Sequence, residues 1–66
     1  MRHFYFIEDE SGEEFIVGAK TLAEAWVIAN DIAAQIGKEY DICPTSMSYE
    51  YEMTEEEAEA SGLDEY

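Results

Sequence analysis

Basic residues are nearly missing from this chain: three Lys and Arg stand against seventeen Asp and Glu, for a formal net charge of −14. Bare nucleic acid and anionic membranes carry negative surface charge, so both are excluded as direct partners, and a basic protein surface is the partner that remains. A single cysteine, Cys43, excludes an internal disulfide and fits a reducing cytoplasm. No run approaches the roughly 20 apolar residues of a membrane span. The opening MRHFYFIEDE has an apolar run of only four residues and no small-residue cleavage site, so it does not read as a secretory signal. The one histidine, His3, lies far in sequence from any Ser or Cys motif, and Cys43 beside Pro44 has no neighbouring cation to stabilise a thiolate. The expectation is a protein that is not an enzyme and takes no cofactor.

What is present is apolar enough to fold. At 66 residues the chain reads as one domain over 1–66, burying only roughly 60% of its unfolded surface, so its core must be efficient. Hydrophobic residues make up 47% and aromatics 14%, which is too much for the low-hydrophobicity signature of a disordered chain. Self-repulsion at −14 nevertheless opposes compaction, and a chain that keeps this charge is expected to use it.

Two β-prone runs, residues 3–7 and 14–19, flank a polar segment with Ser11 and Gly12, as in a hairpin. Period-two alternation puts Phe4 and Phe6 on one face and His3, Tyr5 and Ile7 on the other. TLAEAWVIANDIAAQIGK reads as a helix, with a T-x-x-E capping box at Thr21 and Glu24 and a stop expected at Gly37. Leu22, Ala25, Trp26, Ala29, Ile32, Ala33 and Ile36 form its apolar stripe, and Trp26 is expected at the centre of the core. Residues 40–43 allow a short fourth strand that Pro44 interrupts. In residues 48–53, strict alternation places Tyr49, Tyr51 and Met53 inward and Ser48, Glu50 and Glu52 outward. Thr54 and Glu57 repeat the capping box, and Gly62 is expected to end a short helix with little apolar support, leaving residues 61–66 as a flexible tail. The fold class is α+β: a small antiparallel sheet in the order strand, strand, helix, strand, one amphipathic helix on one face, and a weak acidic C-terminal helix.

Acidity is concentrated in two stretches. Residues 48–66 hold eight Asp and Glu in nineteen positions and no Lys or Arg, which sets a solvated tail against a working surface as the two readings of this stretch. Glu50, Glu52, Glu55, Glu56, Glu57 and Glu59 supply one line of charge; Glu8, Asp9, Glu10, Glu13 and Glu14 supply a second at the hairpin end. Same-face residues on a strand recur at about 6.6 Å, on the scale of successive phosphates along one DNA strand. Asp9, Ser11 and Glu13 have the one-three-five spacing of a calcium loop, but Glu14 stands where the loop glycine belongs and no glutamate follows at the closing position, so no metal is expected.

In charge and architecture the chain resembles the small phage-encoded acidic DNA-mimic inhibitors of the anti-CRISPR and anti-restriction type. That resemblance implies an inhibitor occupying the Lys- and Arg-lined nucleic-acid-binding surface of a defence complex such as CRISPR-Cas or a restriction enzyme, acting as a monomer or weak homodimer in the host cytoplasm. The alternative is an acidic adaptor that docks through aromatic contacts, with its charge serving solubility.

Overall fold

The alternation in the first residues becomes a strand because both of its faces find a cover. In the computed structural model, which describes residues 1–40 and 47–66, β1 spans Arg2–Glu8, β2 Glu14–Ala19, α1 Leu22–Tyr40, β3 Met47–Met53 and α2 Glu55–Ser61. Tyr40 closes α1, and the rest of the short strand expected at 40–43, with Cys43 and Pro44, lies outside the described residues. The sheet is antiparallel in the order β2-β1-β3, so β1 is central. The chain is therefore an α+β fold with its long helix packed on the sheet.

On the α1 side, Phe4 and Phe6 are fully buried among Phe15, Val17, Ala19, Ala25, Ala29, Ile32 and Ile36. Burying each such ring contributes about 1.5–3 kcal/mol, which makes this cluster the main source of stability. Trp26 stands at its margin rather than its centre. The indole is half-buried and meets Phe6 edge-on at 5.0 Å, while the alanines at positions 25 and 29 bring the helix backbone close to the sheet. The expected stop at Gly37 is also displaced: α1 runs through this buried glycine to Tyr40. A helical glycine costs only about 1 kcal/mol, which the packing of a 19-residue helix outweighs. At the other end, Thr21 Oγ1 accepts from Glu24 N at 3.2 Å as expected, but the Glu24 carboxylate reaches back to Lys20 N at 3.4 Å.

The opposite face of the sheet has a smaller core, in which Ile16, Met53 and Ala58 pack with Tyr5 and Leu63. It is covered by α2, whose capping box is complete: Thr54 Oγ1 accepts from Glu57 N at 3.1 Å, and the Glu57 carboxylate accepts from Thr54 N at 3.0 Å. Gly62 ends the helix at φ 72, where a side chain would be strained.

Two long-range features reshape the sheet. The first is a β-bulge in β3. Tyr5 faces Tyr51 and Phe6 faces Tyr49, so Glu50 is an extra residue and the strict alternation expected over 48–53 breaks there. One inserted residue inverts the facing of half a strand. Tyr49 consequently packs on Phe4 and Phe6 in the α1-side core, whereas Tyr51 lies against Tyr5 on the α2 side and is 50% exposed rather than buried. The second is the C-terminal segment, which is not a loose tail. Ile16 N donates to Asp64 O, Tyr66 N to Ile16 O and Gly18 N to Tyr66 O, all at 2.8 or 2.9 Å, so residues 64–66 lie parallel along the outer edge of β2. The Tyr66 ring adds an edge contact with Phe15 at 5.8 Å.

Candidate protein-interaction surface

The two expected lines of carboxylates are sorted by the fold into groups with different work to do. Glu8 leaves the hairpin cluster altogether. Position 8 shares the parity of Phe4 and Phe6, so its side chain turns to the α1 side and is fully buried. Its carboxylate accepts from Glu10 N at 3.0 Å, Ser11 N at 2.7 Å and Ser11 Oγ at 2.8 Å, and thereby fixes the β1–β2 turn. Gly12, at φ 76, completes that turn by donating to Glu8 O at 2.8 Å. Burial alone would raise the Glu8 pKa, but the hydrogen bonds from Ser11 and Glu10 outweigh it and hold the group below its ordinary value. Glu8 is thus a structural anion, and the expectation that it meets a partner is corrected.

The remaining hairpin acids stay at the surface, with Asp9, Glu10 and Glu14 exposed and Glu13 half-buried. Asp9 accepts from Ser48 Oγ at 2.9 Å, which ties the turn to the start of β3. Glu14 accepts the Tyr5 hydroxyl. That bond, with some desolvation and the nearby charges of Glu14, Tyr51 and Glu50, pushes the Tyr5 phenol up to about 12.

The bulge also separates the pair expected to lie in one row on β3. Glu52 is opposite Phe4 and takes a two-pronged hydrogen bond from Arg2, at 2.9 and 3.2 Å, with the guanidinium 4.9 Å above the Phe4 ring. Its hydrogen bond to Arg2 lowers the Glu52 pKa and raises that of Arg2. Glu50, beside the bulge, is exposed and acts on Tyr5 on the opposite face. The two glutamates are therefore not consecutive positions of one phosphate-like row. On α2, Glu55, Glu56 and Glu59 are exposed with the helix-capping Glu57, and Glu55, Glu56 and Glu57 stand in the first turn, where the helix dipole favours anions.

The outcome is a one-sided placement of the cations. Arg2 lies over Phe4 on the α1 side, Lys20 stands two residues before α1 and Lys38 is in its last turn, so every Lys and Arg is associated with that half, alongside its own acids Glu24, Asp31, Glu39 and Glu52. The α2 side carries Asp9, Glu14, Glu50, Glu55, Glu56, Glu57, Glu59 and Glu65, with His3 as its one cationic candidate, bonded to Glu65. His3, Tyr5, Tyr51 and Glu65 were not singled out as members of this surface by sequence reasoning; the only signal for the first two was their shared parity in β1. Among the described residues, no group of three or more His, Cys, Asp or Glu is arranged to hold a metal ion. No helix among them is long and apolar enough to cross a membrane. Comparison with protein-family models, with curated proteins and with solved structures finds no significant match to the chain.

Proposed function

We propose that this protein is a non-catalytic inhibitor whose α2-side carboxylates occupy a basic nucleic-acid-binding surface, of the kind a CRISPR effector or a restriction enzyme presents, and keep DNA off it. The observation that carries the reading is the one-sided placement of the cations: the α1 half holds every Lys and Arg beside its own acids, and the other offers Glu50, Glu55, Glu56 and Glu59 to solvent with no Lys or Arg among them. A coat that served solubility alone has no need of this polarity. Because Glu50 and Glu52 are split by the bulge, the imitation lies in the density of charge over one side and not in a strand-spaced row of phosphates.

Association steered by such a field is fast and weakens as salt rises, since the reach of exposed charges is about 8 Å at physiological ionic strength. The test is competition between the protein and a short DNA duplex for a purified DNA-binding effector. Glu50→Lys and Glu59→Lys are expected to weaken binding, whereas Asp31→Lys and Glu39→Lys on α1 leave it nearly unchanged. Binding that is indifferent to salt and to excess duplex would refute the proposal.

One observation favours a second reading, that of an acidic adaptor without mimicry: Tyr51 is a large ring left 50% exposed. Tyrosine is enriched at protein interfaces. An adaptor loses more affinity with Tyr51→Ala than with either charge reversal.

A further inference from the structure

The α2-side face of the sheet is only partly covered. α2 packs over Ile16 and Met53, while in the neighbouring row at the hairpin end Glu14 is exposed and its strand neighbours Ile7 and Ser48 are only half-buried. Tyr51 borders this row. Its ring meets Tyr5 edge-on at 5.2 Å, and the Tyr5 hydroxyl is bonded to Glu14, so two aromatic rings and a carboxylate are held together at the surface. Glu50 precedes Tyr51 in the chain and is exposed.

The other side of the molecule shows what such a combination accommodates. There, the Arg2 guanidinium lies 4.9 Å above the Phe4 ring and forks onto the Glu52 carboxylate at 2.9 and 3.2 Å. An aromatic face attracts the cation, and the planar fork matches two carboxylate oxygens. Around Tyr51 the ring and the carboxylates recur, but no Lys or Arg of this chain stands with them.

We infer that the open row beside Tyr51 receives an arginine side chain of the basic partner, with its guanidinium against the Tyr51 ring and its N–H groups on Glu14 or Glu50. This deepens the proposed function and rests on it, because it names the side chain through which a basic surface docks. Arginine is favoured over lysine: the guanidinium stacks on rings, is more weakly hydrated and bonds in a fixed fork, whereas an ammonium is a strongly hydrated point charge.

The experiment is an NMR titration of the ¹⁵N-labelled protein with two peptides of equal length and charge, Gly-Arg-Gly-Arg-Gly-Arg-Gly and its lysine counterpart. The expected result is tighter binding of the arginine peptide by about 2- to 5-fold, the size of an exposed cation–π contact. Shift changes should centre on Ile7, Glu14, Glu50 and Tyr51. Tyr51→Ala should remove the preference for arginine and Tyr51→Phe should keep it. If Tyr51→Ala does not fold, the wild-type shift map and Tyr51→Phe decide the matter. Equal binding of both peptides with shifts centred on α2 would overturn the arginine site while leaving the basic-partner reading intact. Binding of neither peptide would overturn both.

Discussion

Replacing Glu8 by alanine separates two opposed views of an acidic residue in an overcharged protein. By net charge alone, removing one of seventeen acidic residues from a chain at −14 relieves repulsion and should stabilise. The structure predicts the reverse. Glu8 is fully buried and accepts three hydrogen bonds at 2.7 to 3.0 Å, and its loss leaves the Glu10 and Ser11 amides without their acceptor. Hydrogen bonds to a charged group are worth about 1.5–3 kcal/mol each in net terms, but water reaches the turn and replaces part of them. We therefore expect a loss of about 2–3 kcal/mol, an order of magnitude above the few tenths that one surface repulsion returns. For a domain of this size that is a fall in Tm on the order of 10 °C or more, read by circular dichroism against Glu59→Ala as a control for charge. The pH dependence has a defined sign. The folded-state pKa of Glu8 lies below the ordinary 4.5, so its contribution is fully present above that value and is lost as pH falls through the folded pKa. The gap between wild type and Glu8→Gln should accordingly narrow as the pH is lowered from about 5. A Glu8→Ala melting point equal to that of the control, or a gap constant down to low pH, would refute the reasoning.

Thr54→Ala removes the hydroxyl that accepts from Glu57 N, and the loss of a helix cap costs about 1 kcal/mol; α2 has few apolar contacts to compensate, so faster hydrogen exchange at the Ala58 amide is the expected readout. Gly18 faces a crowded spot, where an added Cβ would lie 3.0 Å from Met1 Sδ and 3.3 Å from Glu65 Oε2. Gly18→Val should push Glu65 off His3 and loosen residues 64–66, seen as lost protection at the Ile16 amide, which donates to Asp64 O. Glu14→Gln should bring the Tyr5 phenol down from about 12 towards its ordinary value, measured by ultraviolet titration. Because the folded-state value is raised, the contribution of Tyr5 is fully present below pH 10 and disappears as pH rises through about 12, and the variant should lose this alkaline protection.

The parts of the fold that depend on local chemistry were legible. Thr21 and Glu24 mark the start of α1, Thr54, Glu57 and Gly62 bracket α2, and the runs ending at Ile7 and starting at Glu14 give the hairpin. What escaped was set by distant partners. SYEYEM alternates without a flaw, and only pairing with β1 shows that Glu50 is extra. Asp64 to Tyr66 carry no strand pattern of their own, yet the outer edge of β2 offers the Ile16 and Gly18 amides as donors. Glu8 looked like one more solvated acid, although its parity with Phe4 and Phe6 pointed to the α1 face and the following Ser11 offered the donors that make burial tolerable.

The two helices divide their labour unequally, and this bears on how the charged surface must be tested. α1 buries Ala25, Ala29, Ile32 and Ile36 against the sheet, whereas α2 buries only Ala58 and relies on its caps and on three first-turn glutamates that complement its dipole. Those glutamates therefore stabilise the helix that displays them. Reversing Glu55 or Glu56 to lysine would place a cation at the positive end of the dipole and weaken α2 along with any binding, so a lost interaction could not be attributed to charge recognition. Neutral Glu55→Gln and Glu56→Gln remove the charge with a helix cost of about 0.3–1 kcal/mol each. Glu50, which is outside α2, and Glu59, beyond the first turn, do not complement the dipole, so reversal there leaves this source of helix stability in place. If the Gln pair at 55 and 56 lowers affinity as strongly as reversal at 50 and 59 while protection at Ala58 is retained, α2 acts as a charge carrier. If affinity falls only as Ala58 protection is lost, its part in binding is to hold the fold.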